Sequence, residues 1–119
     1  MAVCESIAYA VRHCFQAAGL TGSVSVFGEG ANSQVWSQMV ADVLQRPLQI
    51  ARKPEVGARG AATAAMDAVG IAYDHDAWTR PEGMIEPHGD IAVQFDAGFE
   101  HYLNTLESAR ALWRSAVSR

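Results

Sequence analysis

Gly28-Glu29-Gly30-Ala31-Asn32-Ser33 is a run of small and turn-forming residues. It joins a β-type segment, Val24-Ser25-Val26-Phe27, to an amphipathic segment that opens at Gln34. This order suits close approach to a nucleotide. Glycine removes Cβ where a ligand must touch backbone. A helix N-terminus then offers unpaired N–H groups and a partial positive charge to an anion. Asn32 or Ser33 can cap that helix. Glu29 brings a carboxylate into the turn, where it can accept hydrogen bonds from ribose hydroxyls or repel phosphates. The first role is the expectation. Gln38 lies off the apolar stripe of the following helix and is a candidate to line the base pocket. Trp36 lies on that stripe and is expected in the core.

Other polar groups give weaker signals. Asp74-His75-Asp76, with His88 and Asp90, carries metal-capable atoms, but its spacing fits neither a helical i, i+4 pair nor a tight zinc pattern. It reads as a solvated loop. His13 and His101 have no neighbouring nucleophile, and no serine stands in a nucleophile elbow. Asp42 reads as a solvated helix residue. Glu55 precedes a helix start, where a carboxylate caps or favours the dipole. Cys4 and Cys14 fall on one predicted helix, about three turns apart, and cannot pair without unwinding it. They read as buried reduced thiols, which suits a reducing compartment.

The elements that must position these groups follow from periodicity. Residues 3–18 place Val3, Cys4, Ile7, Ala8, Val11, Cys14, Phe15 and Ala18 at i, i+3, i+4, i+7 spacing, the mark of an amphipathic helix. Glu5, Arg12, His13 and Gln16 lie off that stripe, and Gly19 is placed to end the helix. A strand over 23–27 follows. The next helix has Trp36, Met39, Val40, Val43 and Leu44 as its stripe, and Pro47 stops it. A short strand over 48–52 alternates Leu48 and Ile50 with Gln49 and Ala51. A third helix over 56–69 has a spine of Gly57, Gly60, Ala61, Ala64, Ala65 and Ala68, spacing that lets a helix pack close to a neighbouring backbone. Gly70 ends it. Residues 71–94 read as an irregular excursion. A last helix starts near Asp96 or Ala97, with Phe95, Phe99, Tyr102, Leu103, Leu106, Ala109, Leu112, Trp113 and Val117 as its apolar stripe. Strands separated by helices imply parallel pairing through right-handed crossovers. Two strands alone make a very small sheet.

Composition bounds the function. The chain has 119 residues, half of them hydrophobic and 18% charged, richer in apolar residues than a disordered chain. A formal charge of −4 gives no basic field for nucleic acid or an anionic membrane surface. No apolar run approaches the roughly 20 residues of a bilayer span, and no secretory leader pattern is present. The expected location is cytoplasmic, with neither a nucleic-acid nor a membrane partner.

Three motifs in order resemble the FGGY carbohydrate kinases. The first is Ala2-Val3-Cys4-Glu5-Ser6-Ile7-Ala8, similar to the family's Arg-Ala-x-x-Glu-Gly-Ile-Ala, with Met1 in the Arg position. The second resembles the family's adenosine motif, Gly-Gly-Gly-Ala-x-Ser-x-x-Trp-x-Gln-x-x-Ala-Asp-Val. Gly28, Gly30, Ala31, Ser33, Trp36, Gln38, Ala41, Asp42, Val43 and the later Pro47 fit it, and Glu29 departs from the middle glycine. The third, Glu55-Val56-Gly57-Ala58-Arg59-Gly60-Ala61-Ala62, is similar to the family's Glu-x-x-Ala-x-Gly-Ala-Ala.

The resemblance implies an α/β fold, a partial ribonuclease-H-like (actin-like ATPase) domain of helix–strand–helix–strand–helix plus a C-terminal helix. Residues 1–72 would be the nucleotide side of the family's second domain, 73–94 an excursion and 95–119 the closing helix. In the family a three-stranded antiparallel meander precedes the first helix, and a separate first domain holds the sugar and the catalytic Asp. Neither is found in these residues, so the chain is expected to be truncated and inactive alone. The resemblance implies ATP as cofactor, with Mg²⁺ held by ligands outside this chain. Gly28, Glu29, Gly30, Ala31, Ser33 and Gln38 are the expected nucleotide contacts, with no catalytic residue here. The substrate of the parent would be a small sugar or polyol, of the xylulose, ribulose or erythritol kind. The other reading is a stand-alone nucleotide-binding module, or one that forms a homodimer.

Overall fold

The computed structural model describes residues 2–51 and 55–117. Its elements are α1 (Ala2–Ala17), β1 (Val24–Phe27), a 3-10 turn (Glu29–Asn32), α2 (Gln34–Leu44), β2 (Leu48–Ala51) and α3 (Val56–Val69). A short α4 (His75–Thr79), β3 (Gly83–Ile85), a second 3-10 turn (Gly89–Ile91) and α5 (Ala92–Val117) follow. Arg52, expected to end the second strand, lies outside the described residues.

The sheet has the order β1-β2-β3. β1 and β2 are parallel, with Val24 opposite Leu48 and Phe27 opposite Ala51. This is the pairing that a strand–helix–strand order requires. β3 was not expected. It comes from the middle of the 71–94 stretch and runs antiparallel to β2, with Leu48 opposite Ile85 and Ile50 opposite Gly83. Gly83-Met84-Ile85 is too short to show a period, so the sequence concealed it. β1 keeps an edge with no strand partner among the described residues.

One face of the sheet carries the core. Val24, Leu48 and Ile50 are buried and cluster with Val40, Ala41, Val43 and Leu44 of α2, Ala31 of the first 3-10 turn, Ala8 and Tyr9 of α1 and Phe99 of α5. Leu48 and Val43 are fully enclosed, and burying each such side chain stabilises by about 1.5–3 kcal/mol. Ala8 and Ala41, both at 0% exposure, are small enough to let α1 and α2 pack closely.

α1 and α3 end as their glycines suggest. Leu20 N–H donates to the Phe15 carbonyl at 3.0 Å and Gly19 N–H to Gln16 at 3.1 Å, with Gly19 at φ +63°. The same pair of bonds runs from Ile71 to Met66 and from Gly70 to Asp67. Both satisfy last-turn carbonyls through a left-handed residue.

The buried face of α1 is rotated from the expected stripe. Tyr9 is buried, and Arg12 and His13 are half-buried, because α5 packs on that flank. Tyr9 lies 6.1 Å from the Phe99 ring and 6.0 Å from the Tyr102 ring. The Arg12 guanidinium sits 4.5 Å over Phe99 and pairs with Asp96 at 2.7 Å. Val3 and Ile7 are left exposed. Cys4 and Cys14 are exposed as well, which corrects the reading of buried thiols. Removal from water pushes the Tyr9 hydroxyl above its ordinary pKa, and Glu5 adds to the shift.

α5 also departs from expectation. It starts at Ala92, directly after a 3-10 turn, and not near Asp96. Leu112 and Trp113 near its end are exposed. α3 has no buried residue, and nothing approaches the Cβ positions of Gly57 or Gly60. Its small spine therefore does not seat against another backbone among the described residues. It leaves a gap against the sheet instead.

Candidate nucleotide site

The glycine turn stands at the carboxyl end of β1. Gly28 adopts φ 85°, ψ −172°, a conformation open to glycine and costly for any side-chain-bearing residue. The chain then coils tightly: Ala31 N–H donates to Gly28 at 3.0 Å and Ser33 N–H to Gly30 at 3.2 Å. Ala31 is buried at the base of the turn, while Gly28, Glu29, Gly30 and Ser33 are exposed. The Ser33 hydroxyl accepts from Trp36 N–H at 3.3 Å, so Ser33 is the helix cap that the sequence offered. A Cβ on Gly30 would lie 3.4 Å from Nε1 of Trp36. Trp36 is half-buried and packs against the core, as its stripe position suggested.

Five of the six expected contact residues, Gly28, Glu29, Gly30, Ala31 and Ser33, are thus gathered in one turn. Gln38 is placed differently. Its amide donates to Asp42 Oδ1 at 3.0 Å and to the Glu86 carbonyl at 2.9 Å. One bond stays within α2 and the other reaches the segment before α5, so only the amide oxygen remains for another partner.

Asp42 is buried at 5% exposure, not solvated as the helical wheel suggested. Its carboxylate accepts from His88 N–H at 2.7 Å and lies 3.2 Å from His88 Nδ1. The sequence hid this bond because residues 86–88 fold back onto α2 from far along the chain. Glu55 makes no side-chain cap at α3. It takes φ 58°, and its carbonyl receives Arg59 N–H at 2.9 Å. Asp74 does cap α4, accepting from Ala77 N–H at 3.0 Å.

A cavity of about 230 Å³ opens on the sheet, with Phe27, the residue before the turn, in its lining. Its floor is the outer face of the sheet, Ser25, Phe27, Gln49 and Ala51, and its wall is Arg59, Gly60 and Thr63 of α3 with Trp78 of α4. Phe27 and Ala51 are the last residues of the two parallel strands. The crevice outside the carboxyl ends of parallel strands is where α/β sheets bind ligands. Arg59 lies 4.7 Å over the Trp78 ring and donates to the Trp78 carbonyl at 3.3 Å. Trp78 sits in a stretch without periodicity and gave no sequence signal. Among the described residues, no group of three or more His, Cys, Asp or Glu side chains is placed to hold a metal ion. No helix there is long and apolar enough to cross a membrane.

A glycine turn at the end of a parallel strand, with a capped helix behind it and helices on a small mixed sheet, defines an α/β domain. The chain belongs to the FGGY family of carbohydrate kinases: the pattern of that family's C-terminal domain matches residues 1–69. A xylulose kinase of Haemophilus influenzae is 30% identical over 107 residues, a match that takes in 87% of this chain and 20% of that protein. The structure is similar to a xylulose kinase of Rhodospirillum rubrum, with a TM-score of 0.79 at 28% identity, over 95% of this chain and 25% of that one. A second xylulose kinase, of Brucella ovis, aligns with a TM-score of 0.75 at 26% identity, over 93% of this chain and 24% of that one. The fold is the actin-like ATPase fold of these sugar kinases. The chain spans about a fifth to a quarter of the length of the relatives it matches.

Proposed function

We propose that these residues form the ATP side of a carbohydrate kinase that moves a phosphoryl group from ATP to a hydroxyl of a small sugar or polyol of the xylulose type. The observation that carries this reading is the Gly28–Ser33 turn. Its positive-φ glycine and serine-capped helix stand at the carboxyl end of a parallel strand, in a chain of this family. Gly28, Gly30 and Ala31 let backbone approach the nucleotide, and Ser33 fixes the helix start. Glu29 receives ribose hydroxyls, and the Gln38 carbonyl is the contact that residue retains. The sugar pocket, the carboxylate that takes the hydroxyl proton and the Mg²⁺ ligands belong to parts of the enzyme outside these residues. Phosphoryl transfer needs all of them, with the attacking and leaving oxygens in line at phosphorus.

Calorimetric titration of ATP into the chain tests the placement. Binding is expected, weakened about tenfold by Gly30→Val, a loss of about 1.4 kcal/mol. Equal affinity of the two proteins would overturn the assignment of the turn. A coupled ADP-release assay over pentuloses, hexuloses and polyols with Mg²⁺ should show no sugar-dependent turnover by this chain alone. Turnover that follows the protein through purification would place the base and sugar site inside it.

The open edge of β1 and the exposed Val3 and Ile7 favour a second reading, a nucleotide-binding module that dimerises. An ATP-stabilised dimer without need of further chain would support it.

A further inference from the structure

We propose that Trp78 and Arg59 form the base-recognising wall of the nucleotide site, so that part of that site comes from beyond residue 69, where the family match ends. The inference rests on the nucleotide reading above and adds residues to it. The cavity of about 230 Å³ is below the roughly 300–1,000 Å³ of sites for drug-sized ligands. It suits one planar ring system better than a whole nucleotide. Phe27 and Trp78 give it aromatic surface, and Ser25, Gln49 and Thr63 give it a few hydrogen-bonding groups. Among the described residues that line it, none is a carboxylate, and two are cations, Arg59 and Arg80. An aromatic slot with positive charge fits a nucleobase that carries phosphates.

Position gives the orientation. Phe27, in the floor, directly precedes Gly28. A base seated over the Phe27–Ala51 floor therefore points its ribose and phosphates toward the turn and the amino end of α2. The wall is held before any ligand arrives. Arg59 lies 4.7 Å over the Trp78 ring and is tied to the Trp78 carbonyl. Tyr73 meets the ring edge with centroids 6.2 Å apart. A guanidinium plane and an indole are the side chains on which bases stack. Arg59 is thus a stacking wall whose plane an ammonium cannot replace.

The test is ATP binding by the full 119-residue chain and its variants, read by calorimetry and by tryptophan emission. Trp78→Leu should weaken ATP binding about tenfold or more, the scale of one lost aromatic–base stack. Trp78→Phe, which keeps an aromatic face, should bind within about threefold of the parent. ATP should quench the emission of the parent and of Trp113→Phe, and Trp78→Phe should lose most of that change. Circular dichroism confirms that each variant keeps its helices. If Gly30→Val weakens binding and Trp78→Leu does not, the wall is overturned while the nucleotide reading stands. If neither variant changes the affinity, the nucleotide binds elsewhere and both fall. If the parent chain binds no ATP, both fall for this chain.

Discussion

The carboxylate of Asp42 accepts a hydrogen bond from the backbone N–H of His88 at 2.7 Å. The two residues stand 46 positions apart, yet this contact seats the approach to α5 on the flank of α2. Gln38 completes the clasp by bonding to both Asp42 and the Glu86 carbonyl. The helix that begins at the glycine turn is therefore braced by a segment the family pattern does not reach.

Asp42→Ala should destabilise the chain more than His88→Ala. Removing the buried carboxylate leaves the His88 N–H and the Gln38 amide without their acceptor, a cost of about 1–3 kcal/mol. Removing the imidazole leaves the backbone bond in place. The His88 ring is 59% exposed, so its loss costs less than about 1 kcal/mol. Urea unfolding of the two variants decides the order. Equal midpoints would mean that the imidazole, not the backbone N–H, is the partner that matters.

Asp96 gives the stability an acid-side dependence. Hydrogen bonds from Arg12 and then Gln45 hold its carboxyl below the ordinary carboxylate value. A lowered folded value means that the folded state resists the proton more than the unfolded chain does. The stabilisation is therefore complete above the unfolded value of about 3.9 and is lost as pH falls through the lowered folded value. Asp96→Asn should flatten the acid limb of a stability–pH curve. At neutral pH it should cost under about 1 kcal/mol, since the carboxylate is half exposed. An unchanged acid limb in the variant would remove Asp96 from the account.

Much of this architecture was legible because the signals were local. The β1–turn–α2 unit, the Ser33 cap and the glycine stops at Gly19 and Gly70 depend on residues within one or two turns of one another, and the parallel pairing of β1 with β2 follows from the strand–helix–strand order. What escaped was set by distant contacts. α5 turned the buried face of α1 toward Tyr9 and Arg12, which left Cys4 and Cys14 in solvent. β3 is three residues long and exists through its pairing with β2. Asp42 is polar by type but lies where residues 86–88 fold back, and no helical wheel carries that information. The Gly28–Ser33 turn was readable from glycine and serine spacing. The Arg59–Trp78 wall was not, because a cation over a ring across two helices has no sequence period.

Gly98 and Tyr9 should behave as a coupled pair. A Cβ on Gly98 would overlap the Tyr9 hydroxyl and come within 2.9 Å of Cζ. Tyr9 is buried against Phe99 and Tyr102, so the ring has little room to retreat. Gly98→Ala would otherwise gain up to about 1 kcal/mol in a helix interior. Overpacking should reverse that sign and cost about 1–3 kcal/mol. In the background of Tyr9→Ala the overlap is gone and the same substitution should become neutral or stabilising. A double-mutant cycle with additive energies would show that the two side chains do not compete for space.

The chain on its own should self-associate through the apolar flank that α1 does not bury. Val3 is 74% and Ile7 50% exposed, and they lie one helical turn apart on α1. The edge of β1 that has no strand partner among the described residues is a template for pairing with another chain. Exposed apolar side chains one turn apart favour association. Light scattering across a concentration series should show mass rising with concentration. The pair Val3→Lys and Ile7→Lys should lower that mass toward the monomer while helical ellipticity holds, because neither side chain is in the core. If the parent stays a monomer at every concentration, the flank and the edge are already protected and the dimerising reading fails. If the parent associates and the double variant associates equally, the strand edge rather than the helix flank carries the contact.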